Sequence, residues 1–228
     1  MLYKKDMNSE FYFPPILGNG DISLAPDCEG TLNYTAEDFN KKGVEAFDGM
    51  VARCARRTAN TKSLIRSRLF SLGKFTFNEG STLLDWSQEL ITQKGCIKSV
   101  CSYEDGANID TECFIHPGIN IYAVNKTFDG IGKKIVSYDF ILEGFNDATM
   151  ELENILYTIC EGNEAIIGFK LYGVNVYTGE IHLHINKDFN AVLIKNGISL
   201  EFEVSDGEDV AFFKTMISCE SKLKAKSF

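Results

Sequence analysis

Short stretches in which apolar and polar residues alternate, each closed by a glycine-bearing turn, constrain this chain more than any single motif. Tyr138-Asp139-Phe140-Ile141-Leu142, Ala165 to Tyr172, Ile181-His182-Leu183-His184-Ile185, Ser199 to Val204 and Val210 to Lys214 alternate or run apolar for a few residues and stop. Side chains two apart share one face of a strand, so each stretch has the period of a strand with one buried face. Phe128-Asp129-Gly130, Glu161-Gly162-Asn163, Tyr177-Thr178-Gly179, Lys195-Asn196-Gly197 and Ser205-Asp206-Gly207-Glu208 separate them. Asn-Gly and Asp-Gly tolerate the positive φ that a hairpin bend requires. The pattern predicts an all-β chain of a dozen or so short strands. The exception is 36–62, where Glu37 to Lys42 and Met50 to Arg57 predict a short helical excursion.

Length and composition agree with one large β domain over 1–220, followed by a polar, basic tail at 221–228. The 228 residues are 44% hydrophobic and 12% aromatic, enough apolar material for a sizeable core. A formal net charge of -9 excludes a broadly basic nucleic-acid or anionic-membrane surface. The basic cluster Arg53 to Arg57, with Arg66 and Arg68, reads as a solvated face. Seven cysteines are scattered, odd in number and without paired metal spacing, which predicts reduced thiols. Met1-Leu2-Tyr3-Lys4-Lys5-Asp6 carries no apolar leader core, so the expected compartment is the cytoplasm.

Little of the sequence carries chemistry. His182 and His184 share one face of their strand and could ligate a metal with a carboxylate, but no third ligand is identifiable. A solvated strand face above inward Ile181, Leu183 and Ile185 is the simpler reading. His116 precedes Pro117-Gly118 and reads as a turn histidine. No Gly-x-Ser-x-Gly segment exists, and Gly18-Asn19-Gly20 lacks the Gly-Lys-Ser/Thr of a phosphate loop. Asp85 beside the one tryptophan, Trp86, is the pairing a sugar site uses, with an aromatic face for C–H groups and a carboxylate for hydroxyls. The expected metal and cofactor complement is none.

An ordered set of landmarks adds to this. Pro15-Ile16-Leu17-Gly18-Asn19-Gly20-Asp21-Ile22 is followed by Gly73-Lys74-Phe75, then Leu84 to Leu90, then Gly95 to Val100. Tyr103-Glu104-Asp105-Gly106, Ile109 to Pro117 and Asn120 to Asn125 complete the order. It resembles the N-terminal domain of two-domain glycoside hydrolases and phosphorylases of families 65 and 95. The resemblance implies a large antiparallel two-sheet supersandwich, similar in fold to galactose mutarotase, that precedes an (α/α)6 barrel carrying the catalytic acid. It covers most of the chain, and nothing in Leu223 to Phe228 begins such a barrel.

On that resemblance the chain is expected to be a non-catalytic half that shapes a carbohydrate site, inactive alone. An autonomous carbohydrate-binding or mutarotase-like protein is the alternative. Implied partners are carbohydrate, a barrel domain or chain, and a second copy of this chain. Candidate sugar contacts are Asn19, Asp21, Asp85 and Trp86. The chain departs from the families after Gly20, reading Asp21-Ile22-Ser23-Leu24 where they carry a basic residue and another glycine. No catalytic residue carries over.

Overall fold

A computed structural model of the chain describes residues 2–3, 14–19, 22–30, 51–53, 69–71, 74–119, 121–141, 151–172 and 176–218. These residues are all strand and turn, and every strand pairing is antiparallel.

The first half of the main sheet is a meander: β7 (Leu83–Ile91), β8 (Cys96–Tyr103), β9 (Asn108–Ile115) and β10 (Ile121–Asp129). The second half is another, β12 (Glu151–Glu161), β13 (Glu164–Tyr172) and β14 (Val176–Ile185). The strand β17 (Asp209–Ser218) lies between β10 and β14 and joins the halves. With β1 (Leu2–Tyr3) on β7, the sheet has nine strands. Four more form a second sheet in the order β15 (Asn190–Ile194), β16 (Gly197–Ser205), β11 (Lys133–Ile141) and β6 (Lys74–Asn78). A small third sheet contains β2 (Leu17–Gly18), β3 (Ile22–Leu24), β4 (Val51–Arg53) and β5 (Leu69–Ser71).

Alternation along each strand decides which side chains face the core. In β9, Ile109, Thr111, Cys113 and Ile115 are buried while Asn108, Asp110 and Phe114 are exposed. In β11 the buried set is Val136, Tyr138 and Phe140. The two large sheets meet along an aromatic seam. Phe75 stacks on Tyr138 at 4.8 Å and on Phe212 at 4.4 Å, and Tyr138 packs 4.7 Å from Phe212. Because Phe75 and Tyr138 belong to one sheet and Phe212 to the other, these contacts fix the face-to-face packing of a β-sandwich. Each such pair adds roughly 0.5–1.5 kcal/mol beyond the area it buries.

Turn chemistry agrees with the sequence at Gly130, Gly162 and Gly207, all at positive φ. At Asn196-Gly197 the reason differs from the expected one. Asn196 takes the positive φ, 59°, and Gly197 already pairs with Ile194 and Ile141. Gly197 is needed because a Cβ there would lie 2.0 Å from the Phe140 carbonyl oxygen.

Two local expectations are corrected. Tyr177-Thr178-Gly179 is no turn; it lies within β14, opposite Leu171, Lys170 and Phe169. Tyr172 pairs with Val176 at the start of β14. In the expected helical excursion, Val51–Arg53 forms a strand, with Val51 opposite Ser71 and Ala52 opposite Ile22. Cross-strand hydrogen bonds there take the backbone groups that a helix would have used internally. The rest of the 36–62 excursion lies outside the described residues, as does the 221–228 tail. Among the described residues, no helix is long and apolar enough to cross a membrane.

Candidate functional site

Two polar clusters stand out, one under the small sheet and one on the open face of the nine-stranded sheet. The first begins at the Asp27–Gly30 turn that follows β3. Asp27 accepts the Glu29 N–H on its own side chain at 2.9 Å, and Gly30 closes the turn with φ of 72°. The inner face of β7 to β10 then reaches up to the turn. Gln88 donates to the Asp27 carbonyl at 2.9 Å, Tyr122 to the Gly30 carbonyl at 2.8 Å, and Tyr103 to the Glu29 carboxylate at 2.7 Å. Lys126, fully buried, donates to the Glu29 carbonyl at 2.7 Å and to Thr111 Oγ1 at 2.9 Å, with its ammonium 4.3 Å from the Phe77 ring centre.

Burial drives the charges of this cluster toward neutrality. It pushes the Glu29 carboxyl above its ordinary range, helped by Asp27, and pushes the Lys126 ammonium below its own. An inward lysine held by the Glu29 carbonyl and the Thr111 hydroxyl is a clamp on the turn rather than a nucleophile facing substrate.

The second cluster sits on β12 to β14. His182 Nδ1 lies 2.7 Å from Glu164 Oε1, and Nε2 lies 3.1 Å from Glu180 Oε2. Tyr157 donates to the other Glu180 oxygen. That hydrogen bond, followed by His182, holds the Glu180 carboxyl below the usual carboxylate range. The expected face is correct: Ile181, Leu183 and Ile185 are buried, while His182 is 20% exposed and His184 faces outward. With both ring nitrogens on glutamates, His182 has none left for a substrate, so the trio is a cross-strand clamp. Among the described residues, no group of three or more His, Cys, Asp or Glu is arranged to hold a metal.

The sugar-contact candidates do not converge. Asn19 donates its side-chain N–H groups to the His116 and Ile119 carbonyls at 3.2 and 3.1 Å, tying β2 to the turn after β9. Asp85 pairs with Ser102, which pairs with Asn108 at the start of β9. Asn19 and Asp85 are therefore separated by the length of β9, about 25 Å at strand rise. Trp86 points into the core and is 9% exposed, while Asp85 is exposed and accepts the Trp86 backbone N–H at 2.9 Å. Asp21 lies outside the described residues.

Among the described residues, Phe114, at 39% exposure, and Tyr157, at 40%, are the exposed aromatic side chains on the open face. Phe114 lies two residues beyond Glu112, which is paired with Lys98 at 2.9 Å and held below the usual carboxylate range by that lysine. The signal was present in the alternation, where Phe114 is in phase with Asp110 and Glu112 and out of phase with Ile109, Cys113 and Ile115.

Comparison with known proteins enters through shape. No protein-family profile matches the sequence, and no curated protein matches it. Among solved structures, the chain is similar to one titled "Putative kojibiose phosphorylase from human microbiome", at a TM-score of 0.58 and 12% identity. The match covers 91% of this chain and 31% of that one. At that identity the likeness is one of fold. The chain spans about a third of the length of the structure it matches.

Proposed function

We propose that this chain is the non-catalytic β-supersandwich of a glycoside hydrolase-like or disaccharide phosphorylase-like protein, and that it shapes a carbohydrate site together with an (α/α)6 barrel. The observation that carries the reading is the structural likeness across 91% of the chain to about a third of a phosphorylase titled for kojibiose. The local chemistry points the same way. Glycoside cleavage needs one carboxylic acid to protonate the leaving group and a second carboxylate across the sugar. Among the described residues, three acidic pairs each have a basic side chain beside them: Glu164 and Glu180 share His182, Glu79 and Asp105 share Lys134, and Asp27 and Glu29 lie beside Lys126.

A second reading, an autonomous carbohydrate-binding domain, is favoured by one observation. Phe114 presents a ring to solvent beside the Lys98–Glu112 pair, the mixture of apolar face and polar groups that sugars use.

The test is to assay the purified chain against aryl glycosides and disaccharides with and without phosphate, and to titrate the same sugars by calorimetry. No turnover, with activity appearing when a barrel from the same or an adjacent reading frame is added, is the expected result. Turnover by the chain alone that disappears in Glu164→Gln or Glu112→Gln would overturn it. Phe114-dependent binding without any need for a barrel would move the assignment to the second reading.

A further inference from the structure

Among the described strands, β15 is a sheet edge without the usual protection. No described strand lies beyond it in the order β15-β16-β11-β6. Its sequence, Asn190-Ala191-Val192-Leu193-Ile194, holds no charge, proline or glycine, and it pairs with β16 without a register shift. Edge strands ordinarily carry such residues or a bulge, because their outward N–H and C=O groups otherwise pair with another strand. The long edge β12 has both devices: Glu151, Glu153 and Glu161 lie along it, and its ladder slips between Glu153 and Tyr157. β15 is also apolar on both sides. Val192 is 38% exposed, in register with Ser199, and Leu193 is 72% exposed on the opposite side, in register with Ile198.

We propose that β15 is a self-association edge: a second copy of this chain lays its own β15 antiparallel beside it, across a two-fold axis at Val192, and the two four-stranded sheets become one. Two-fold pairing of antiparallel strands requires one residue to face its own copy. With Val192 on the axis, Ala191 faces the Leu193 of the second copy and Asn190 faces its Ile194. The fit is one of size and charge. Each exposed Leu193 lies beside a small Ala191 that packs against the core, so a large side chain meets a small one twice. On the other side, the two Val192 and two Ile194 side chains form an apolar strip. Asp188 precedes the strand and Lys195 follows it, both exposed. Antiparallel pairing sets the acid of each copy near the base of the other, whereas parallel pairing would bring like charges together. The occupant is a second copy because this edge is complementary to itself in backbone, size and charge. Five-residue strands bury little surface, so the dissociation constant is on the order of 10 µM.

Sedimentation equilibrium of the whole chain in reductant, from about 1 to about 200 µM, should show the mass rising from one chain to two. Leu193→Lys alters a side chain already in water, so its circular dichroism should match wild type while dimerisation weakens by at least about tenfold. Asp188→Lys should weaken it by about fivefold through two symmetric contacts, and adding Lys195→Asp should restore it. Cross-linking reads the register. In a Cys160→Ser background, Val192→Cys should give a covalent dimer under oxidised glutathione, because residues facing each other across antiparallel strands lie about 4.5–5.5 Å apart. Asn190→Cys should not, since it is set roughly 13 Å along the strand from its own copy. A single-chain mass at the highest concentration overturns the proposal. So does a dimer that Leu193→Lys leaves intact, or one that Asn190→Cys cross-links as readily as Val192→Cys.

Discussion

Raising the pH from about 8 to about 10.5 should destabilise this protein, because its core keeps protonated several groups that titrate in the unfolded chain. Cys113 is completely buried, and its thiol is pushed up to about 12 by that burial. Cys28 is raised further, by its contact with Cys101 and then by burial. A thiol in the unfolded chain titrates near 8.5, so above that pH the unfolded state sheds protons that the folded state retains. For a group raised on folding, the stabilisation is complete below the unfolded value and is lost as pH climbs toward the folded one. Each fully responding thiol removes about 1.4 kcal/mol per pH unit, and two remove about 2.7.

Lys126 acts in the opposite sense. Its ammonium is lowered by burial, so the folded chain releases that proton first, and stability recovers with rising pH until the unfolded lysine also titrates near 10.4. Between about pH 9 and 10.5 the thiols remove about 4 kcal/mol, and Lys126 returns up to about 2, leaving a net loss of about 2 to 4 kcal/mol. Against a typical stability of about 5–15 kcal/mol that is a large fraction. Tyr103, Tyr122 and Tyr138, all raised by burial, steepen the loss above about pH 10. Guanidinium titrations in reductant at several pH values, read by Trp86 fluorescence and far-UV circular dichroism, give the slope directly. Cys113→Ala should flatten it by about 1.4 kcal/mol per unit, and Lys126→Met should steepen it below about pH 10.4. Stability constant to within about 1 kcal/mol from pH 8 to 10.5 in the wild type would mean that these thiols reach water, and the buried-core argument would fail.

Two further measurements test the fold. Gly197→Ala puts a Cβ 2.0 Å from the Phe140 oxygen and 2.9 Å from Ile141 Cα, both backbone, so the β11–β16 pairing has to move. The expected loss is at least about 3 kcal/mol, or roughly 6–12 °C in Tm. Gly168→Ala meets only the Tyr157 ring, at 2.3 Å, and that half-exposed ring can swing away, so about 1 kcal/mol is expected. Equal losses in the two variants would refute the distinction. Trp86, 9% exposed within the core, should emit in the blue and resist iodide, and a red-shifted, quenched spectrum would remove it from the seam of β7 and β8.

Strand existence was legible in the sequence because it depends on local alternation. Ala165 to Tyr172 and Ser199 to Val204 fall within β13 and β16, where the in-phase Ala165, Ile167 and Phe169, and Leu200, Phe202 and Val204, are buried. Strand order was not legible. β17 closes the gap between β10 and β14, and nothing in Val210 to Lys214 names either neighbour; the choice rests on pairings such as Val124 with Phe212 and Ile181 with Met216. The same limit explains Tyr177-Thr178-Gly179. A glycine with a preceding threonine has turn chemistry taken alone, yet flanked by the partner strands β13 and β17 it continues a ladder. Local preference gave way to tertiary pairing, as it also did at Val51–Arg53.

The polar clusters were hidden for a different reason: their members come from distant segments. Lys126 is one of the largest fully buried side chains, though the residues around it in sequence give a charged group no reason to be inside. Its position makes sense only once the Asp27–Gly30 turn, about a hundred residues earlier, presents the Glu29 carbonyl 2.7 Å away. A buried ammonium without that acceptor and Thr111 would cost several kcal/mol, so the turn and the strand have to dock together or not at all. The dependence runs both ways, because Gly30 has a Cβ-sized gap of only 3.1 Å to Thr111 and admits no other residue without displacement. The stretch from Leu24 to Gly30 is therefore held as a fixed lid on the sheet's inner face.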